Sequence, residues 1–325
     1  MLRRCLAAFA FIATTATAAD YTLIDLGTLG GPGSYGAAVS EEGVVVGCAD
    51  VSAIAAHAFV WKDGRMQDLG TAGDGTGSSC ALAVNDHGVV AGRSASGEVV
   101  VWEGGAAKRL SVRGDVGGIN DRGVVVGSYS VEGTTRAFVY EGGTLLTLGT
   151  LGNDAAAATV ATSINDRGVV VGRSGGRAFL YDGVAMTDLG TLGGNNGGAR
   201  DINDRGIVVG GASSATGQPT AFVYRRDGME AIDGTMQSTA IALNNRGQVV
   251  GSAEGRYGWL VDEHGVTWLG ELASVASQGY RRFEPTGIND RGWIVGTATN
   301  AEGNLRAVLL VPSSTSRGKA LRMAG

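Results

Sequence analysis

The stretch Ile164–Gly172, Ile-Asn-Asp-Arg-Gly-Val-Val-Val-Gly, recurs with small changes in six other segments, whose turn glycines are Gly43, Gly88, Gly123, Gly206, Gly247 and Gly292. Counting Gly168 of the first stretch, successive steps are 45, 35, 45, 38, 41 and 45 residues. A repeat of roughly 20 to 50 residues is the signature of solenoids and propellers, so it limits the fold more than any single motif does. Asn-Asp-Arg-Gly is turn material: Asn and Asp bond to nearby backbone, and Gly takes the positive φ that closes a hairpin loop. Val-Val-Val-Gly shows no alternation, which suits a strand covered on both faces.

Around this hairpin each unit carries the same sequence of segments. A strand of small residues comes first, such as Ala81-Leu82-Ala83-Val84 or Ala161-Thr162-Ser163-Ile164. The Val-rich strand and a variable loop follow, then an aromatic strand such as His57-Ala58-Phe59-Val60-Trp61 or Thr220-Ala221-Phe222-Val223-Tyr224. A Gly-containing turn leads to a fourth strand ending in Asp68-Leu69-Gly70 or Asp188-Leu189-Gly190. Four antiparallel strands repeated seven times predict an all-β fold, a seven-bladed β-propeller with small residues on the crowded axis.

The alternative is an open solenoid. The chain starts with an unaccompanied fourth strand, Tyr21 to Gly31, and its last aromatic strand, 306 to 311, has no fourth strand after it. Each end supplies what the other lacks, so the N-terminal strand is expected to pair with the last blade and close the ring. Charge pairing points the same way. His57 and Arg177 open aromatic strands and have Asp68 and Asp188 eleven residues on; Arg306 would find its acid at Asp25 of the opening strand, whereas Arg136 with Thr147 breaks the pattern.

Residues 1–19, with Arg3 and Arg4 ahead of an apolar run and Ala16-Thr17-Ala18-Ala19 behind it, read as a secretory signal. The apolar run falls far short of the ~20 residues of a membrane span, and Cys5 precedes it where a lipidated Cys would follow. The expected organisation is signal 1–19, one propeller domain 20–312 and a disordered tail 313–325. Loss of Arg3 and Arg4 takes the net charge from −5 to −7, and Lys62, Lys108 and Lys319 are the only lysines. An acidic chain without a basic run argues against nucleic acid and against an anionic membrane surface.

His-Ala-Phe-Val-Trp at 57–61, Asp-Leu-Gly-Thr-Leu-Gly-Gly at 188–194 and the Ile-Asn-Asp-Arg-Gly-x-Val-Val-Gly cycle together resemble the bacterial HAF-type probable extracellular repeat family. The likeness runs over essentially the whole chain after residue 19. It implies export and a repeat β fold, and the family supplies no established reaction or ligand. Only His57 keeps the eponymous His, and the fifth and seventh units lack the Asp-Leu-Gly ending in place.

The chemistry is sparse. His57, His87 and His264 occupy different places in their units, so neither a catalytic triad nor a metal-ligand cluster follows. Asp86, Asp121, Asp166, Asp204 and Asp290 should ring one face, but Arg122, Arg167, Arg205 and Arg291 beside four of them favour a neutral ring of turns over a calcium site. The Leu-Gly-Gly segments lack the Lys and helix of a phosphate loop. No cofactor or metal is expected.

Two features lie outside the repeat. Gly270 to Pro285 is a long crossover carrying Tyr280, Arg281, Arg282 and Phe283, and Arg200-Asp201 stands on an inner strand of otherwise small residues. The long loop is read as a recognition surface or as a lid on an apolar edge. Asp201 is read as paired with Arg200 or a neighbouring blade rather than catalytic. Cys48 and Cys80 should lie at similar height on adjacent blades, which makes a disulfide plausible in an oxidising compartment. The reading is a monomeric, periplasmic or extracellular binding or scaffold module for a cell-surface glycan or envelope protein. The alternative is a propeller-fold hydrolase or lyase with its site at the axis.

Overall fold

The computed structural model describes residues 20–313 apart from 74 and 76, so the expected signal 1–19 and all of the expected tail except Ser313 lie outside the described residues. The chain is all-β and propeller-like, built from antiparallel sheets whose strands follow one another in sequence order in all but the sheet that holds Tyr21–Asp25. In the first unit the strands are Ser34–Val39, Val45–Asp50, Ala56–Lys62 and Arg65–Asp68. Sheets of the same order occupy Thr159 to Asp188, Gly193 to Met236 and Ser238 to Trp268.

The second and third units depart from the expected separation into fours. They share one seven-stranded sheet, because Ala106–Ile119 is a single 14-residue strand that serves as the fourth strand of one unit and the first of the next. The step from Gly88 to Gly123 is the shortest, at 35 residues, and leaves no length for a Leu-Gly-Gly crossover. The strand runs on without a break, with Ser111 at φ 56° where its register with Glu98–Glu103 shifts.

Tyr21–Asp25 pairs with Leu305–Pro312, Leu23 opposite Leu310, so the two ends of the described chain share one sheet with Ile294–Thr299 and Arg281–Ile288. Arg306 and Asp25 meet at 3.0 Å, as the eleven-residue spacing anticipated. His57–Asp68 and Arg177–Asp188 form at 2.9 and 2.8 Å. Glu98 and Arg109, eleven apart with the charges exchanged, meet at 3.0 Å. Arg136 instead donates to the carbonyls of Ala155 and Ala157. Partly exposed pairs of this kind contribute about 0–1 kcal/mol each and serve register.

The glycine that ends each Val-rich segment is fixed by close approach. A bulge in the first strand, for example between Gly36 and Ala38, brings a backbone carbonyl against the second strand, and a Cβ on Gly47, Gly172 or Gly210 would overlap that oxygen. The freed space takes a ring from the third strand: Phe59, Phe138, Phe179, Phe222 and Trp259 lie over Gly47, Gly127, Gly172, Gly210 and Gly251. All five rings are fully buried.

Apolar packing is divided into clusters between consecutive units. Val45, Phe59 and Trp61 of the first unit, for instance, pack on Val295, Ala307 and Leu309 of the seventh. The expectation that the Val-rich strand is covered on both faces holds, with Val45, Val46, Val171 and Val209 each at 0% exposure.

Candidate functional site

The first strands of the seven repeats all contribute to the lining of one cavity of about 540 Å³. Along its lining the turns are linked in series. The N–H of Glu41 donates to Asp86, that of Asp86 to Asp121, and so on through Asp166, Asp204, Asn245 and Asp290, whose N–H returns to Glu41 at 2.6 Å. The preceding residue forms a second series: Asn85 donates its side-chain amide to the carbonyl of Asn120, and the pattern continues through Asn165, Asn203, Asn244 and Asn289 to Ser40. These buried amides also accept the N–H that closes their own turns, as Asn165 does from Val169. The carboxylates are therefore occupied by backbone donors, and the adjacent Arg122 and Arg291 offset part of the charge of Asp166 and Glu41 as expected. Arg122 and Arg291 also approach Glu141 at 4.0 Å and Glu42 at 3.8 Å.

Burial raises the Glu41, Asp86 and Asp166 carboxyls, with like charges nearby adding to the rise and backbone donors opposing it. The folded state then holds protons more tightly than the unfolded one at these sites. Their contribution is most favourable at low pH and falls as pH rises through the raised values. Among the described residues no group of three or more His, Cys, Asp or Glu is arranged to hold a metal ion.

Asp201 is enclosed in the wall of the cavity although part of its surface remains reachable. Its carboxylate accepts from the Ser163 hydroxyl at 2.7 Å and from the backbone N–H groups of Ile202 and Leu243 at 2.9 Å, so it ties three consecutive units together. Burial pushes its carboxyl upward against those donors. The link to neighbouring units weighed from sequence is present, and the alternative pairing with Arg200 is not found among the described residues. Arg200 makes no hydrogen bond or ion pair among the described residues; it is exposed at the crossover end. There the cavity opens into a mouth of about 450 Å³ that brings together Arg200, Tyr35, Glu284, Thr239 and Thr297.

The long crossover buries two of the four residues expected to carry recognition. Tyr280 and Phe283 are 8% and 0% exposed and belong to the apolar cluster between the sixth and seventh units, so neither ring is available for stacking on a ligand. The segment folds into a short turn of helix, Ala273–Ala276, whose Val275 covers the opening strand. Gln278 donates to the carbonyl of Leu23 at 3.2 Å, and the Tyr280 hydroxyl donates to Asp25 at 2.5 Å. Burial raises the Tyr280 hydroxyl pKa, and the Asp25 carboxylate raises it further. Arg281 and Arg282 remain exposed, with the Arg282 guanidinium 5.5 Å from the Tyr257 ring centre. Of the readings offered for this loop, the lid on an apolar edge fits the burial.

Cys48 and Cys80 are joined as a disulfide, with Cα atoms 4.8 Å apart. The bridge closes a span of 32 residues, so its loss in Cys48→Ser should cost about 3–4 kcal/mol by loop entropy. Intact-mass measurement after alkylation without reduction should show neither thiol labelled; two labels on the native protein would rule the bridge out.

No protein-family model matches the chain, and no curated protein matches it. Among solved structures it is similar to the extracellular domain of a B. thetaiotaomicron protein described as a one component system. The TM-score is 0.58 at 8% identity, over 90% of this chain and 40% of that one. TolB from Acinetobacter baumannii gives a TM-score of 0.45 at 11% identity, over 80% and 60% of the two chains. A gluconolactonase from Xanthomonas campestris gives 0.41 at 10% identity, over 74% and 91%. The chain spans less than half the length of the first. At such identities the likeness is one of fold, and the class it supports is all-β and propeller-like. No helix among the described residues is long and apolar enough to cross a membrane.

Proposed function

We propose that this chain is an exported seven-bladed β-propeller of the HAF repeat type, acting in the periplasm or outside the cell as a binding or scaffold module for an envelope glycan or protein. The returning series of turn hydrogen bonds and the sheet shared by both chain ends support ring closure. Removal of 1–19 on export would leave the ring as the mature protein.

The observation that carries the binding reading is the crossover-end mouth. A 42% exposed aromatic, Tyr35, the cation Arg200, which has no partner among the described residues, and the carboxylate of Glu284 converge there on a wall of strands. Loops on that face vary between units, whereas the opposite face is consumed by its own turns. An exposed ring beside polar forks is the combination that holds sugars and polar peptides.

The test is retention of the mature protein on an array of envelope glycans, with envelope pull-down in parallel. Wild-type protein should be retained, and Tyr35→Ala combined with Arg200→Ala should lose at least tenfold in retention at an unchanged melting temperature. Absence of retention in both assays would overturn the reading. Release of cleaved product from a bound glycan would replace it with the hydrolase or lyase alternative.

A further inference from the structure

The residue after the second-strand glycine of one unit faces the residue five places before the turn Asn in the next, and the pairs formed there differ. Between the first and second units the pair is the disulfide Cys48–Cys80. Between the second and third it is an ion pair, Arg93 to Asp115 at 2.7 Å. Between the fourth and fifth, Arg173 takes the place of Arg93, but the place of Asp115 is taken by Gly198. Arg173 lies alongside that glycine: a Cβ built on Gly198 would stand 3.5 Å from Arg173 Cδ and 3.7 Å from its Cβ. The cation is present and its carboxylate is missing.

The missing side chain leaves a notch of about 390 Å³ lined by Arg173, Asn196, Gly198, Arg200, Ser213 and Thr239. Arg173 and Arg200 are both exposed. Neither they nor the side chains of Asn196, Ser213 and Thr239 are engaged in a hydrogen bond or ion pair among the described residues. Arg200 also has no counterpart: the equivalent inner-strand places hold Ala37, Leu82, Gly117, Thr162, Ile241 and Thr286. Two guanidinium groups at a notch whose own lining holds no acid favour an anion, and the planar fork of Arg is matched to a carboxylate.

We propose that this notch binds the carboxylate of an acidic sugar, placed against Arg173 as Asp115 is placed against Arg93, with Arg200 as the second donor. The proposal rests on the binding-module reading and names its ligand class. A sugar is favoured over an acidic peptide because the remaining partners are an amide and two hydroxyls, suited to ring hydroxyls. The notch also lacks an aromatic anchor of the kind that dominates peptide interfaces.

Calorimetric titration of the mature protein with tetragalacturonate, and with neutral maltotetraose as control, tests it. Tetragalacturonate should bind and maltotetraose should not. Arg173→Gln and Arg200→Gln should each weaken binding at least tenfold. Gly198→Asp should abolish it at an unchanged or raised melting temperature, since the new carboxylate would pair with Arg173 within ordinary contact distances. Undiminished binding by Gly198→Asp would overturn the site. Equal binding of maltotetraose would overturn the carboxylate assignment and leave the binding module standing. Stronger competition by a tetraglutamate peptide than by tetragalacturonate would overturn the sugar in favour of a protein partner. Failure of tetragalacturonate to bind, while the arrays retain the protein through other glycans, would sink this inference alone.

Discussion

Deletion of residues 20–27 will reduce stability by most of what the domain possesses. Tyr21, Leu23 and Leu26 are 5%, 4% and 4% exposed, and they pack into two clusters, on either side of the seventh sheet. Burying a large apolar side chain contributes about 1.5–3 kcal/mol, so the three together account for roughly 5–9 kcal/mol. Total stability of a domain is only about 5–15 kcal/mol. The deletion also leaves Arg306 and the Tyr280 hydroxyl without Asp25, and it exposes the whole edge of Leu305–Pro312 to pairing with other chains. Thermal unfolding followed by circular dichroism should show a collapse of the melting temperature, with aggregation in sizing chromatography. If the deletion fails to express, Leu23→Asp keeps the strand while placing a charge in the cluster, and it should destabilise by several kcal/mol. Melting of either variant together with the parent would show that the N-terminal strand is not part of the fold.

This strand illustrates what a repeat makes readable. Its place was legible because the last unit lacks a fourth strand and the stretch from Tyr21 to Gly31 reads as a fourth strand without its three companions. The Arg306–Asp25 pair followed from a spacing seen elsewhere in the chain. The role of Asn in the turns was only half legible. Its propensity for turns is local, but its donation to the next unit, as from Asn165 to Asn203 across 38 residues, depends on the tertiary arrangement. The shared strand Ala106–Ile119 was missed because nothing within it signals a break or its absence; only the short 35-residue step carried that information. At the candidate site, Arg200 was visible as the neighbour of Asp201, the exception among the small inner residues. Arg173 and Gly198 were not, since an Arg on a strand and a Gly among glycines become informative only when aligned with Arg93 and Asp115.

Phe283 was read as a recognition residue for an equally instructive reason: in sequence it lies in a loop beside Tyr280 and two arginines. In space it does what the aromatic strand does elsewhere. The seventh unit has Val308 where five others have Phe or Trp, and a valine cannot fill the space above Gly296. Phe283 reaches in from the first strand instead, and a Cβ on Gly296 would meet its Cζ at 2.8 Å. Phe283→Ala should therefore cost about 3–5 kcal/mol, the penalty of an emptied aromatic site in a packed core. Phe222→Ala should cost the same, whereas Arg281→Ala and Arg282→Ala, exposed, should change stability by less than about 0.5 kcal/mol. Combining Phe283→Ala with Val308→Phe would return the aromatic ring to the strand used by the other units, and it should recover half or more of the loss. Chemical unfolding of the four single variants and the double variant measures each difference. A Phe283→Ala protein as stable as its parent, but deficient in ligand retention, would return Phe283 to the binding surface and overturn its assignment to the core.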